Sequence, residues 1–182
     1  MDHDAQLMQR TSRGDKEAYR ELFDRHYGRA VNVAYRSLGD RELAEDVAMD
    51  AFARIYESRQ SYKPQAKFST YLYRVVVNLS LNAAKRRGRA YTTSLDDIQI
   101  PASSDSDPAR HAQRAELSRT VKAAVLSLAP NQRMALVLTR YEQMSYSEAA
   151  EAMGVSVGAV ESLLHRAKEH LRKALSNVVD QQ

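Results

Sequence analysis

The chain has 182 residues and a formal net charge of +4, so it can form one domain or two small ones and suits a polyanionic partner. It has no cysteine, which excludes disulfides, thiolate zinc sites and cysteine catalysis. No apolar run is long enough to cross a membrane, and the N-terminus lacks the pattern of a signal peptide. We therefore expect a soluble, cytoplasmic protein without membrane insertion.

The first 90 residues predict three helices. Between residues 18 and 38, pairs of apolar residues recur about every four positions, as on one face of a long helix. Gly39-Asp40 interrupts this pattern, and a second helix is predicted over residues 41–58. A polar loop over residues 59–67 contains a proline, and a third helix is predicted to begin near Phe68.

An acidic segment follows this helical half. Residues 92–109 contain four Asp, two Pro and no Lys or Arg, which is typical of a linker. Helical periodicity then returns at Leu117 and again after Pro130. The sequence thus predicts an all-α fold: two small helical domains, residues 1–90 and 112–182, joined by a flexible acidic linker over residues 91–111.

Two short helices joined by a tight turn are predicted near the C-terminus. Ser145 and Glu148 have the spacing of a capping box, which begins the first helix. Gly154 supplies the left-handed backbone that ends it, and Ser156 caps the next helix. This pattern is typical of a helix-turn-helix that binds duplex DNA. The alternative is a plain helical hairpin with a solvated basic end.

Polar side chains project from the second of these two helices. Apolar residues recur at helical spacing, with Val160, Leu164 and Ala167 predicted to face the core. The residues left to meet DNA are Glu161, Ser162, His165 and Arg166, followed by Lys168.

The second predicted helix carries an acidic outer face, made of Glu42, Glu45, Asp46 and Asp50. Such a cluster can dock on a basic protein surface, where complementary charge sets orientation and association rate. The alternative is ordinary solubility charge near a helix N-terminus, which the helix dipole favours.

The third predicted helix combines aromatic, amide and basic side chains. Tyrosine rings can stack on exposed bases, asparagines can read base edges, and Lys or Arg can neutralise phosphates. Core tyrosines and a solvated basic end are the alternative. The residues in question are Tyr71, Tyr73, Arg74, Asn78, Asn82, Lys85, Arg86, Arg87 and Arg89.

With these motifs in place, the chain resembles a bacterial extracytoplasmic-function (ECF) sigma factor of the sigma-70 family over nearly its whole length. ELAEDVAMDAF (residues 42–52) resembles the polymerase-binding helix of region 2.2. FSTYLYRVVVNL (residues 68–79) resembles region 2.3, which melts and holds the promoter −10 element. Residues 126–172 resemble region 4, which binds the −35 element.

The resemblance implies a role for particular residues. Glu45, Asp46 and Asp50 would engage the basic coiled coil of the polymerase β′ subunit. Asn78 would hold a flipped −10 base, and Tyr62-Lys63 in the preceding loop would help to select it. The remaining −10 contacts would be Tyr71, Arg74, Asn82, Lys85, Arg86 and Arg87. The −35 contacts would be Ala159, Glu161, Ser162, His165, Arg166 and Lys168.

The resemblance also implies the partners, which are core RNA polymerase through its β′ and β subunits, promoter DNA and an anti-sigma factor. No cofactor is implied. The acidic linker matches the segment of the family that threads toward the RNA exit path.

The sequence departs from the family pattern at several of these positions. Tyr71 stands where Trp is usual, and Met49 stands where Gln is common. In the recognition helix, Ala159, Glu161 and Leu163 replace the usual Thr, basic residue and Arg. The −35 contact is therefore expected to be less electrostatic and more base-specific, since Glu can accept a hydrogen bond from a cytosine amino group. The alternative for Glu161 is a salt bridge that orients Arg166 or His165.

Two other classes of function compete with this interpretation. A regulator could bind DNA through its C-terminal domain while the N-terminal bundle acts as a sensor, although no phosphoacceptor pocket or Gly-rich loop is predicted. An enzyme is disfavoured because no nucleophile or phosphate-loop motif occurs. The five His residues lack metal-ligand spacing, so no metal site is predicted.

Overall fold

The computed structural model describes residues 3–63, 67–90 and 108–176, and in these ranges all regular structure is helical. The N-terminal domain consists of four α-helices and one 3-10 turn, Arg59–Ser61, that follows α3. The helices are α1 (His3–Ser12), α2 (Lys16–Leu38), α3 (Arg41–Glu57) and α4 (Phe68–Ala90).

The C-terminal domain contains four further helices. A π-helical segment, Val137–Tyr141, continues α6, and the Glu142 N–H bonds to the Val137 carbonyl five residues back. The helices are α5 (Pro108–Leu126), α6 (Pro130–Leu136), α7 (Tyr146–Met153) and α8 (Val157–Ala174). The all-helical prediction with a C-terminal helix-turn-helix is confirmed.

The structure adds two features to the predicted elements. Helix α1 was not predicted, because Leu7 and Met8 give too short an apolar pattern, yet both side chains are fully buried. Helix α5 begins at Pro108, ahead of the predicted domain boundary at residue 112. Residues 91–107 of the predicted linker lie outside the described residues.

Gly39 and Asp40 form the sharp connection between α2 and α3. Gly39 adopts the left-handed conformation (φ 74°), and its N–H bonds to the Tyr35 carbonyl at the end of α2. Asp40 then caps α3 by accepting a hydrogen bond from the Leu43 N–H at 3.0 Å. Two consecutive residues therefore end one helix and begin the next.

Helix α2 lies at the centre of the N-terminal domain and packs against α1, α3 and α4. Large side chains fill the space between these helices, among them Leu22, Phe52, Phe68 and Leu72. Tyr19 crosses from α2 to α3, where its hydroxyl donates to the Phe52 carbonyl at 2.9 Å. This core leaves the acidic face of α3 and one polar side of α4 exposed.

The two domains are in contact. Helix α4 packs against α7, and buried apolar residues of both domains form one continuous cluster. At the edge of this contact the Tyr73 hydroxyl donates to Glu142 Oε2 at 2.7 Å, and Lys67 Nζ lies 3.2 Å from Glu148 Oε1. Burial and the nearby Glu142 carboxylate raise the pKa of Tyr73, so this hydroxyl stays protonated.

Candidate functional site

The acidic face of α3 presents two carboxylates that have no ion-pair partner in the described part of the chain. Asp46 and Asp50 are exposed and lie one helical turn apart. Glu45 is only partly exposed and bonds to Arg41 at 2.9 Å. Met49 lies beside them with 53% of its surface exposed. An apolar side chain next to exposed acids is an arrangement that suits a protein partner with a basic surface.

A polar stripe runs along α4 on the side away from the core. Arg74, Asn78, Asn82 and Lys85 are exposed and follow one another at steps of four, four and three residues. Residues at this spacing share one face of an α-helix. The stripe therefore offers two amides between positive charges, which can contact bases and phosphates together.

The basic residues at the end of α4 differ in availability. Arg86 is exposed, whereas Arg87 is half-buried and donates to Asp40 Oδ2 at 3.2 Å. That contact ties the end of α4 to the cap of α3. Of the two arginines, Arg86 is the one open to a phosphate.

Two tyrosines meet where α4 begins. The centroids of the Tyr62 and Tyr71 rings lie 5.4 Å apart, and the ring planes make an angle of 55°. Both rings are partly buried against the core. Lys63, next to Tyr62, is exposed. The Tyr71 hydroxyl lies 3.1 Å from Ser58 Oγ, a contact between helices that no sequence pattern predicts.

The helix-turn-helix forms through the predicted caps. The Glu148 N–H donates to the Ser145 hydroxyl at 3.2 Å, and the Glu148 carboxylate accepts from the Ser145 N–H at 2.9 Å. The Glu148 carboxylate also accepts from the Ser145 hydroxyl at 2.9 Å, and the bonds that Ser145 donates to this carboxylate, the backbone bond first, lower the pKa of Glu148. Gly154 has φ 66° and ends α7, after which Ser156 caps α8. Exposed Val155 and Val157 flank that cap and were not predicted to be functional.

Some of the polar residues of α8 line a groove and others do not. Glu161, His165 and Lys168 line an apolar groove of about 900 Å³ together with Leu136, Leu164 and Leu171. Ser162 and Arg166 are exposed and do not line this groove. Three of the six predicted −35 residues therefore line the groove, and Ala159, Ser162 and Arg166 lie outside it.

Glu161 makes no ion pair with another described residue. His165 instead lies 3.8 Å from Glu169, one turn further along α8. The Ser162 hydroxyl donates to the Gly158 carbonyl at 2.9 Å. In this state Glu161 is not a partner of His165 or Arg166, which leaves its carboxylate free to accept a hydrogen bond.

Two kinds of site are missing from the described ranges. No group of three or more His, Cys, Asp and Glu there could hold a metal ion. None of the helices there combines the length and the apolar character that crossing a membrane requires.

Comparison with known proteins covers both domains. The Sigma-70 region 2 family model matches residues 22–90, and the Sigma-70, region 4 model matches residues 118–171. The RNA polymerase sigma-H factor of Pseudomonas aeruginosa is 32% identical, over 96% of this chain and 94% of the relative. The ECF RNA polymerase sigma factor SigE of Mycolicibacterium smegmatis is 36% identical over 90% of this chain, which spans 65% of that relative's length.

Solved structures share the fold across both domains. CnrH, solved in complex with the cytosolic domain of CnrY, has a TM-score of 0.70 and 28% identity, over 97% of this chain and 99% of the other. RpoE of Bartonella quintana, solved in complex with the anti-sigma factor NepR, has a TM-score of 0.68 over 87% of this chain and 96% of the other. At 18% identity the second comparison supports the fold alone.

Proposed function

The chain belongs to the extracytoplasmic-function sigma factors of the sigma-70 family, and we propose which of its exposed faces bind polymerase and which bind promoter DNA. It is an RNA polymerase sigma factor, a non-enzymatic protein of transcription initiation. A regulator with an N-terminal sensor does not fit, because the N-terminal domain itself matches sigma region 2. We propose that residues 1–90 and 112–182 act as separate functional units.

The acidic face of α3 is the proposed binding site for core RNA polymerase. Asp46 and Asp50 would pair with basic residues of the β′ subunit while Met49 packs between them. Their exposure and their lack of ion pairs among the described residues support this assignment. Glu45 would have to give up its bond to Arg41 before it could pair with the β′ subunit, so we expect it to contribute less binding free energy than the two aspartates.

The stripe on α4 is the proposed binding site for the melted −10 element. Asn78 lies between Arg74 and Asn82, so a flipped base at Asn78 would be flanked by groups that can bind phosphate and base edges. Lys85 and Arg86 would neutralise the backbone further along, while Tyr62 and Lys63 would help to select the base. The exposed, regularly spaced stripe is the observation that carries the proposal.

The recognition helix α8 is the proposed reader of the −35 element. Ser162 and Arg166 form its open side, near Ala159 in the first turn. Glu161, His165 and Lys168 line the adjoining groove, so their reach to DNA would depend on how deeply α8 enters the major groove. Glu161, without an ion pair, would accept from a cytosine amino group.

The contact between the domains bears on regulation. The −10 and −35 elements are about 25 base pairs apart, which is about 85 Å along B-form DNA at 3.4 Å per base pair. Domains packed as α4 against α7 would have to separate to contact both elements. We propose that an anti-sigma factor holds the packed form, in the cytoplasm where polymerase and promoter are found. CnrH, which is 28% identical to this chain, was solved in complex with a partner protein, the cytosolic domain of CnrY, and this supports the proposal.

Transcription by core RNA polymerase supplemented with the full chain tests the proposal. Mapping the RNA 5′ ends should reveal starts that share one −10 and one −35 sequence. Asn78→Ala should lose about 1–3 kcal/mol of discrimination at one −10 base. Asn32→Ala, an exposed asparagine on α2, is the matched control and should behave as wild type. Starts that share no upstream sequence, or a chain that does not bind core polymerase, would refute the proposal.

A further inference from the structure

Tyr71 is held from two sides at the start of α4. Its hydroxyl lies 3.1 Å from Ser58 Oγ, at the residue that ends α3. Its ring contacts the Tyr62 ring at 5.4 Å. Tyr71 therefore contacts both ends of the short segment from Ser58 to Tyr62. This segment leads directly into the proposed base-selecting residues, Tyr62 and Lys63.

The direction of the hydroxyl contact follows from the hydrogens available. Ser58 Oγ has one hydrogen, which it donates to the Arg54 carbonyl at 2.7 Å. Tyr71 must then be the donor and Ser58 Oγ the acceptor. The Ser58 carbonyl in turn accepts from the Ser61 N–H at 3.0 Å and from the Ser61 hydroxyl at 2.8 Å. One chain of bonds thus connects α4, the end of α3 and the 3-10 turn.

A second set of contacts fixes the same turn from the other side. Arg59 donates to the Tyr56 carbonyl at 2.7 Å, and its guanidinium lies 4.1 Å from the centre of the Tyr56 ring. Helix α1 also packs against the turn. These bonds hold the turn in place, and Tyr71 links it to α4.

Tyr71 also lies on the face of α4 that carries the polar stripe. Arg74 and Asn78 follow it at three and seven residues, so Asn78 is about 10 Å further along the helix axis. The Tyr62 ring already contacts the Tyr71 ring, which is partly buried against the core. The contacts made by the ring favour a role in support of the loop.

We infer that Tyr71 is a positioning residue, which holds the segment from Ser58 to Tyr62 against α4 so that Tyr62 and Lys63 keep their place beside the base held at Asn78. Base selectivity then depends on Ser58, which is not among the residues proposed to contact DNA. This inference rests on the function proposed above for Tyr62, Lys63 and Asn78.

Holoenzyme made from core polymerase and the full chain provides the test. The probes are four fluorescent single-stranded −10 oligonucleotides that differ only in the flipped base, and the ratio of their Kd values measures discrimination. Tyr71→Phe and Ser58→Ala should each reduce discrimination about 5-fold, as expected for loss of one hydrogen bond. Ser58→Ala also removes the bond to the Arg54 carbonyl, so the double variant is compared with Ser58→Ala alone. It should lose no more discrimination than that single variant, because Tyr71→Phe removes a bond that Ser58→Ala has already removed.

Tyr19→Phe is the matched control. It removes a tyrosine hydroxyl that donates at 2.9 Å to the Phe52 carbonyl in the same domain, away from Ser58. It should lower thermal stability as Tyr71→Phe does but leave the Kd ratios unchanged. A control that lost discrimination equally would overturn the positioning role, since any destabilisation of the domain would then be enough.

The remaining outcomes separate the inference from the proposed function. Full discrimination in both Tyr71→Phe and Ser58→Ala, together with equal weakening toward all four oligonucleotides in Tyr71→Leu, would show that Tyr71 stacks on DNA and would overturn the inference alone. A wild-type holoenzyme that does not discriminate among the four bases would overturn the function proposed for the stripe and the inference with it.

Discussion

The N-terminal domain and the helix-turn-helix are stabilised by different means. The N-terminal domain surrounds α2 with large buried side chains such as Phe52, Phe68 and Leu72. In the helix-turn-helix of the C-terminal domain, the fully buried positions that the structure describes are small, among them Ala149, Ala152, Val160 and Ala167. Its geometry depends instead on caps, on one left-handed glycine and on packing against α4.

This difference has a consequence for function. In the N-terminal domain, residues on the exposed faces of α3 and α4 can be substituted without altering the packing of the core, because the core residues lie on the opposite sides of the same helices. In the C-terminal domain, α8 carries the proposed −35 surface and also buries Val160 and Ala167 in the core. Function and stability are therefore easier to separate in the first domain.

Charge reversal on α3 should give the largest effect. The double variant Asp46→Lys, Asp50→Lys should weaken binding to core polymerase by several kcal/mol, because like charges would face each other across the interface. Helical content and unfolding free energy should stay close to wild type. The double variant Glu17→Lys, Asp24→Lys makes the same charge change on α2 and should bind normally. If both pairs weaken binding equally, net charge explains the effect and no docking face exists on α3.

Glycine substitutions compare the two domains directly. Gly39→Ala and Gly154→Ala both place alanine in the left-handed region, which costs about 1–2 kcal/mol each. A Cβ at Gly39 would also lie 2.9 Å from a methyl carbon of Leu126, whereas nothing lies within 4 Å at Gly154. Gly39→Ala should therefore lower the unfolding free energy further in urea denaturation.

The additional loss of unfolding free energy in Gly39→Ala should depend on Leu126, which belongs to the C-terminal domain. Leu126→Ala should relieve it, so the double variant Gly39→Ala, Leu126→Ala should lose less than the sum of the single losses. Strict additivity would mean that α5 does not pack against the end of α2 in solution.

The hydrogen bond between Tyr73 and Glu142 should couple the domains. Tyr73→Phe and Glu142→Gln should show a coupling of about 1.5 kcal/mol in a double-mutant cycle of unfolding free energies, as for a bond to a charged group. Tyr19→Phe should show no coupling to Glu142→Gln, because Tyr19 bonds within its own domain. A zero coupling for Tyr73 would indicate that the domains are already apart in the free protein.

The same bond gives a dependence on alkaline pH. Burial first, and then the Glu142 carboxylate, raise the pKa of Tyr73 above its ordinary value of 10. Its stabilising contribution is therefore complete below pH 10 and is lost as pH rises through the higher value of the folded state. Tyr73→Phe should remove this part of the alkaline loss of stability.

The smallest effect is expected from the acidic titration of Glu148. Its pKa is lowered from 4.5 by hydrogen bonds from the Ser145 backbone and hydroxyl, and then by Lys67. Its contribution is therefore present above pH 4.5 and is lost as pH falls through the lower value of the folded state. Because a third of the side chain is exposed, solvent screens the effect. Glu148→Gln should flatten the stability profile in this acidic range, and an unchanged profile would contradict the capping box.

The parts of the fold that depend on neighbouring residues in the chain were predicted well. The capping box at Ser145 and the left-handed Gly154 follow from spacing alone and appear as expected. The break at Gly39-Asp40 is equally local. The roles predicted for individual site residues remain proposals, and only their exposure and contacts can be compared with expectation.

The contacts of site residues with residues far away in the chain could not be predicted from the sequence. Arg87 looked equivalent to Arg86, yet it pairs with Asp40, which is 47 residues away. Glu161 and Ser162 are neighbours in sequence, but only Glu161 lines the apolar groove. Periodicity gives the face of a helix, while the groove depends on where α6 lies relative to α8.

The sequence by itself determined the helices, their caps and the family, because helix-forming patterns and capping bonds act over three or four residues. The tertiary structure alone decided which polar groups are free. Asp46 and Asp50 remain open while Glu45 is paired, and Tyr71 supports a loop through Ser58. Such pairings depend on the packing of whole helices, whose buried apolar faces set the positions of the polar side chains at their edges.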